Sequence, residues 1–188
     1  VTNQFKHNGN RSDIECDIVC FVNGIPLVII ECKKATTIDL MKTAWKDNLE
    51  RYQRDGSQGL GHDKLFFYNH IIMATSAIQA RYGTIKSPPN KYAKWTSLTN
   101  MSMKELEKMV GRKPTPQDIM IAGMLKKETL LDMLKNFVLY EVEEHKKIKK
   151  VAKHQQYRVV TKAVKRISSQ KNVEQKGGVV WHTQGSGK

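Results

Sequence analysis

Long apolar runs are missing from this sequence. No stretch of its 188 residues approaches the roughly 20 apolar positions that span a bilayer, and no signal-peptide pattern is visible. Acids are scarce: 18 Asp and Glu stand against 32 Lys and Arg, a net charge of +14. That imbalance argues against a polycationic partner and for a polyanion, nucleic acid first and an anionic membrane second. Cysteine is limited to Cys16, Cys20 and Cys32, without the paired spacing of a zinc site. They read as free thiols in a reducing cytoplasm. The histidines are scattered with no pair at metal-ligand spacing, and there is neither an internal repeat nor a low-complexity tract. The chain begins with Val and stops abruptly, so it reads as a piece of something longer, with room for one good core.

What is present centres on residues 17–34, DIVCFVNGIPLVIIECKK. Two apolar runs flank Asn23-Gly24, a strong hairpin signal, and their Val, Ile and Phe content predicts strands. The second run is apolar at nearly every position from Ile25 to Ile30, which predicts burial on both faces. It ends in Glu31-Cys32-Lys33-Lys34, where a core strand has no use for charge. Glu31 and Lys33 share a face, and Asp17 on the partner strand sits about level with Glu31. Asp13 and Glu15 are alternatives to Asp17, placed before the apolar run.

Two carboxylates and a lysine at a strand end suit phosphodiester hydrolysis. The carboxylates of Asp17 and Glu31, with the Cys32 carbonyl as a third ligand, can hold Mg²⁺; Lys33 can stabilise charge building on the phosphate. The spacing, Asp then thirteen residues then Glu-x-Lys, resembles the PD-(D/E)xK nuclease signature, with Cys16 where that signature has Pro. The bland alternative is a strand end that carries charge by chance. Register sharpens the expectation. A two-residue Asn-Gly loop pairs Val22 with Ile25 and Asp17 with Ile30, turning Asp17 and Glu31 to opposite faces. The site therefore needs a three-residue loop, or a bulge near Pro26.

After Lys34 the period becomes helical: Ile38, Met41, Trp45, Leu49 and Tyr52 predict a helix over roughly 37–54, closed by Asp55-Gly56. Asn48 and Tyr52, one turn apart, face the strand end in the functional reading; in the bland one Tyr52 packs in the core. Lys64–Tyr68, His70–Thr75 and Ile78–Ile85 read as strands. Ser102 to Glu105 is a capping box, and Thr115-Pro116 opens another helix. Leu125–Tyr140 reads as a third, apolar-faced helix. Residues 141–172 read as a basic helical connector. Its Lys146, Lys147, Lys149, Lys150 and Lys153 are candidates for DNA phosphate contact, against an equally weighted reading as a solvated face. At the end, Val179–Trp181 reads as a strand leading into HTQGSGK, the layout of a P-loop. Gly185, Ser186, Gly187 and Lys188 would cradle phosphates, although His182 departs from the general pattern.

Taken together, Arg11 through Lys33, LFFYNHIIMATSAIQARYGTI, LLDMLKNFVLYE, KHQQY and GGVVWHTQGSGK resemble the motor-nuclease (R) subunit of type I restriction enzymes. The resemblance implies an α/β fold: a PD-(D/E)xK core with a mixed sheet at 1–140, the connector at 141–172, and the start of a RecA-like ATPase domain at 173–188. It implies Asp17, Glu31 and Lys33 as the nuclease trio. Asn48 stands where the family's Gln-x-x-x-Tyr has Gln, and Tyr52 matches. Gln156 resembles the adenine-reading glutamine, with Gln155 as the alternative. It further implies Mg²⁺, ATP in the full subunit, duplex DNA, and methyltransferase and specificity subunits as partners in the cytoplasm. The competing expectation is an inactive DNA-binding or assembly fragment with a nuclease-like fold.

Overall fold

The computed structural model describes residues 1–8, 13–52, 63–99, 101–143 and 146–182. One mixed sheet runs in the order β1 (Thr2–Asn8), β2 (Asp13–Val22), β3 (Ile25–Cys32), β4 (Ile71–Thr75), β5 (Ala80–Gly83). All neighbours are antiparallel except β3 and β4, which are parallel. A parallel pair needs a crossover, and the segment after β3 supplies it. There α1 (Leu40–Ala44) passes through a π-helical turn, Trp45–Leu49, into α2 (Glu50–Tyr52), and α3 (Asp63–Phe67) follows. The Asp39 carboxylate caps α1 by accepting from the Lys42 N–H at 3.0 Å. The expected stop at Asp55-Gly56 lies outside the described residues.

The hairpin resolves the register question by a bulge. Asn23 and Gly24 both take positive φ (50° and 79°), the geometry a two-residue turn demands, and Val22 pairs with Ile25. The register then shifts between Cys20 and Phe21: Phe21 pairs with Pro26, Cys20 with Val28, and Leu27 is the extra residue. From there Ile18 opposes Ile30, which brings Asp17 level with Glu31. The alternation of β2 also slips once, since Cys16 and Val19 are buried in the same cluster.

β3 is buried on both faces, as its continuous apolar run requires. Val28 and Ile30, with Ile71 and Met73, pack on one side. Their partners come from α5 (Pro116–Met124), α6 (Lys127–Asn136) and the first turn of α7 (His154–Ser169). Val19, Ile29, Ile72 and Ala74 face the other way, onto Leu40, Ala44, Leu49, Tyr52, Leu65 and Phe66. Capping boxes open α4 (Met103–Val110) at Ser102 and α5 at Thr115, and Gly111 ends α4 at φ 70°.

Four expectations need correction. Lys64–Tyr68 is not a strand: Leu65 and Phe66 are adjacent and both buried while Phe67 and Tyr68 are exposed, a helical burial pattern. The helix expected to reach Tyr140 stops at Asn136, and β6 (Val138–Glu143) begins two residues later. The connector is not helical throughout, because β7 (Lys146–Val151) pairs antiparallel with β6. Cross-strand contacts hold this hairpin, with Lys150 on Glu141 and the Lys149 ammonium 5.6 Å from the Tyr140 ring centre. Finally, 179–181 forms no strand after α8 (Val173–Lys176): a strand requires a neighbour, and neither described sheet offers one.

Candidate active site

The site lies where β3 leaves the sheet. Glu31 and Cys32 are still held by the parallel ladder to Ala74 and Thr75, and the Lys33 N–H donates to the Thr75 carbonyl at 2.7 Å. The main chain that carries the trio is therefore fixed. The Asp17 carboxylate accepts from the Cys32 N–H at 2.6 Å, so the two strand ends are joined at the site itself. Across the sheet face the π-turn delivers two consecutive side chains. The Asn48 amide donates to Glu31 Oε1, and Asp47 Oδ2 lies 3.3 Å from the Lys33 ammonium. Lys33 Nζ is also 2.9 Å from Glu31 Oε1. Such wider turns occur often at functional sites.

Glu31 is 1% exposed, and its two oxygens differ. Oε1 has two donors; Oε2 is buried and has no hydrogen-bond partner among the described residues. A buried carboxylate oxygen without a donor is costly, and a cation between Glu31 and Asp17 would satisfy it. Burial is the main force raising the Glu31 carboxyl above the usual range, with Asp17 adding to it; Asn48 and Lys33 pull the other way. For Lys33, burial acts to lower the ammonium, but the pairs with Glu31 and Asp47 outweigh it and the net shift is upward. Burial, followed by the charges of Glu31 and Asp17, pushes the Cys16 thiol up to about 12, so it stays protonated. No group of three or more His, Cys, Asp or Glu side chains suited to a metal occurs among the described residues. A cation here would have two carboxylates, main-chain oxygen and water, the environment that suits Mg²⁺.

The structure thus brings together Asp17, Glu31, Cys32, Lys33 and Asn48. Tyr52 is close but plays a different part. It is buried, its ring stacks on Phe66, and its hydroxyl donates to the Glu15 carbonyl at 2.6 Å, tying the crossover helix to β2. Glu15 itself turns outward to Lys6, at 3.7 Å. Asp47 was not anticipated, since an exposed acid on a helix gives no signal until its partner lysine is located. Thr75 was also missed; its hydroxyl lies against the Cys32 sulfur at 3.6 Å.

The basic candidates divide. Lys149 cannot meet a phosphate: it is buried, and its ammonium donates to the Asn69 carbonyl. Lys150 is tied to Glu141, and Lys147 lies 5.9 Å from the Tyr140 ring centre. Lys153 precedes α7, and its N–H donates to the Gln156 side-chain carbonyl at 2.8 Å, giving Gln156 a capping role. The Lys146 backbone pairs with Glu143. Gln155 instead lines a cleft of about 540 Å³ with Thr96, His154, Arg158, Lys162, Trp181 and His182. The P-loop candidates Gly185, Ser186, Gly187 and Lys188 lie outside the described residues.

Sheet, crossover and site together define a mixed α/β domain with a carboxylate–lysine cluster at the ends of its central strands. Residues 1–91 match the family of type I restriction enzyme R protein N termini (HSDR_N), and residues 155–188 match the SWI2/SNF2 ATPase family. The type I restriction enzyme HindI endonuclease subunit of Haemophilus influenzae is 31% identical over 92% of this chain. A Methanocaldococcus jannaschii protein provisionally named the type I restriction enzyme MjaIXP endonuclease subunit is 28% identical over all of it. A second from that organism, provisionally the MjaVIIP endonuclease subunit, is 30% identical over 96%. The chain is a homologue of type I restriction enzyme R proteins, and its first 91 residues belong to the family of their N termini. It spans only 16% to 19% of the length of these relatives.

Proposed function

We propose that this chain supplies the DNA-cleaving centre of a type I restriction enzyme endonuclease subunit, a Mg²⁺-dependent, sequence-non-specific nuclease of the PD-(D/E)xK kind. The observation that carries this reading is Glu31: a buried carboxylate with one unsatisfied oxygen, level with Asp17 and paired with Lys33. Asp17, Glu31 and the Cys32 carbonyl would hold the ion. Bound there, Mg²⁺ would acidify a water and offset charge on the scissile phosphate. The chain's own groups do the rest. Asn48 and Lys33 fix the orientation of Glu31, and the Cys32 N–H fixes Asp17. The Lys33 ammonium is the donor placed to stabilise negative charge gathering on the phosphate oxygens.

The wider role extends the resemblance carried by the sequence motifs. The whole subunit would move duplex DNA at the expense of ATP before cutting. It would assemble with methyltransferase and specificity subunits in the cytoplasm. In it Gly185 to Lys188 would cradle the nucleotide phosphates, with Gln155 or Gln156 near the base. No helix among the described residues is long and apolar enough to cross a membrane, and the net charge of +14 suits a DNA partner.

The test pairs binding with cleavage. Mn²⁺ should bind the wild-type chain, measured by paramagnetic resonance, and raise its melting temperature. Asp17→Ala and Glu31→Ala should lose both effects, and the intact enzyme carrying either should not cut DNA. Undiminished cutting by either variant would sink the assignment.

A further inference from the structure

We propose that Asp47 is a positioning residue for strand cleavage, holding the Lys33 ammonium at the site when a divalent cation occupies the carboxylates; the inference rests on the nuclease reading above. Lys33 Nζ has two anionic neighbours, Glu31 Oε1 at 2.9 Å and Asp47 Oδ2 at 3.3 Å. They are not equivalent. Glu31 is sunk in the site, and its charge would be shared with any cation bound there. Asp47 is 49% exposed, and Lys33, between burial and solvent, is 14% exposed.

A dication at Glu31 and Asp17 repels a nearby ammonium, because like charges a few ångströms apart interact strongly wherever water is partly excluded. With Glu31 as its only counter-ion, Lys33 would swing into solvent at the moment its charge is needed. Asp47, a second carboxylate that the cation does not claim, offsets that repulsion and keeps the ammonium at the site. The π-turn gives this arrangement its geometry. Asn48 reaches Glu31 while the preceding residue, Asp47, reaches Lys33. Two consecutive helical side chains thus meet two alternate strand side chains on one face. Adjacent side chains lie about 100° apart around an α-helix, and the wider turn over Trp45–Leu49 narrows that angle.

The experiment uses Asp47→Asn, Asp47→Glu and, as a reference, Glu31→Gln. Proton–nitrogen spectra of the ¹⁵N-labelled chain should show the Lys33 ammonium as a slowly exchanging signal with Mg²⁺ present, assigned by its loss in Lys33→Met. Asp47→Asn should erase the signal and Asp47→Glu should restore it. Single-turnover cleavage by the intact enzyme at saturating DNA should fall about fivefold in Asp47→Asn, the upper value for a part-exposed ion pair. Asp47→Glu should recover it, with Mn²⁺ affinity and the KM for DNA unchanged. A wild-type cleavage rate and an intact ammonium signal in Asp47→Asn, alongside an inactive Glu31→Gln, would overturn the role of Asp47 and leave the nuclease reading standing. Loss of Mn²⁺ affinity in Asp47→Asn would make it a ligand and overturn the positioning role. A fully active Glu31→Gln would overturn the nuclease reading, and this one with it.

Discussion

Acidification should loosen this fold through one histidine in particular. His154 opens α7, is 4% exposed, and packs edge-on against Trp95 with ring centres 4.9 Å apart. The Thr96 hydroxyl sits 3.1 Å from Nδ1 and the Ser97 hydroxyl 2.6 Å from Nε2. Burial, and after it the charge of Arg158, lowers its pKa from 6.5 to about 4. Between these values the native state holds fewer protons than the unfolded chain, so stability falls as the pH falls. The contribution is complete above 6.5 and gone below 4. By pH 5 it should have cost about 2 kcal/mol, and in full about 3 kcal/mol. These are upper values, since both hydroxyls can accept from a protonated ring. His70, also lowered by burial and by Lys149, acts with the same sign. Glu31, raised, acts with the opposite sign. The informative quantity is therefore the difference between wild type and His154→Gln in urea melts from pH 8 to pH 5. The wild type should lose stability more steeply, by about 2 kcal/mol across that range. Parallel curves would refute the assignment of this titration to His154.

Lys33→Ala should slow cleavage by roughly 10²–10³ while Mn²⁺ still binds, because a transition-state donor is lost and a ligand is not. If calorimetry shows metal binding gone, Lys33 is a structural partner of the acids instead. Gly123→Ala should destabilise the fold by about 1–3 kcal/mol, since a Cβ there would meet Trp95 Nε1 at 2.5 Å and the Ser97 carbonyl at 2.6 Å; an unchanged urea midpoint would contradict that packing. The exposed cations of α7, Arg158, Lys162, Lys165 and Arg166, are now better DNA candidates than the β7 lysines. If they touch phosphate, neutralising all four should flatten the salt dependence of DNA affinity by about 0.9 in log–log slope for each phosphate no longer paired with a cation. An unchanged slope in filter binding would leave them as a solvated face.

The clustering of Asp17, Glu31 and Lys33 was legible because its signal is a contradiction within one strand. A run apolar enough to be buried on both faces ends in Glu31 and Lys33, and elementary burial energetics ask why. The bulge was legible for the same reason: a regular Asn-Gly hairpin would have turned Asp17 and Glu31 apart, so bringing them together required one extra residue, and Leu27 is that residue. Caps at Ser102 and Thr115 were legible because they are local, with each donor and acceptor within a few positions of its partner.

What failed to show in the sequence depends on contacts distant along the chain. Leu65 and Phe66 have the composition of a strand, but both bury in one cluster with Leu49 and Tyr52, and a helix is what lets adjacent residues do so. Lys146 to Val151 looks like a solvated basic run until β6 pairs with it. Then Lys149 faces Tyr140, and its ammonium reaches the Asn69 carbonyl, 80 residues away in sequence. A lysine counts as a DNA contact only if its charge is free, and that freedom is decided by partners such as these, which no spacing rule reveals. The same logic runs in reverse at Asp47. Its sequence position marks it as one more exposed helical acid, and only the approach of the π-turn to the end of β3 makes it the second counter-ion of Lys33. Residue types that carry chemistry can thus be found by where they violate a local pattern. Those that position them belong to elements meeting across the fold, and they become visible only once the crossover from β3 to β4 has been traced.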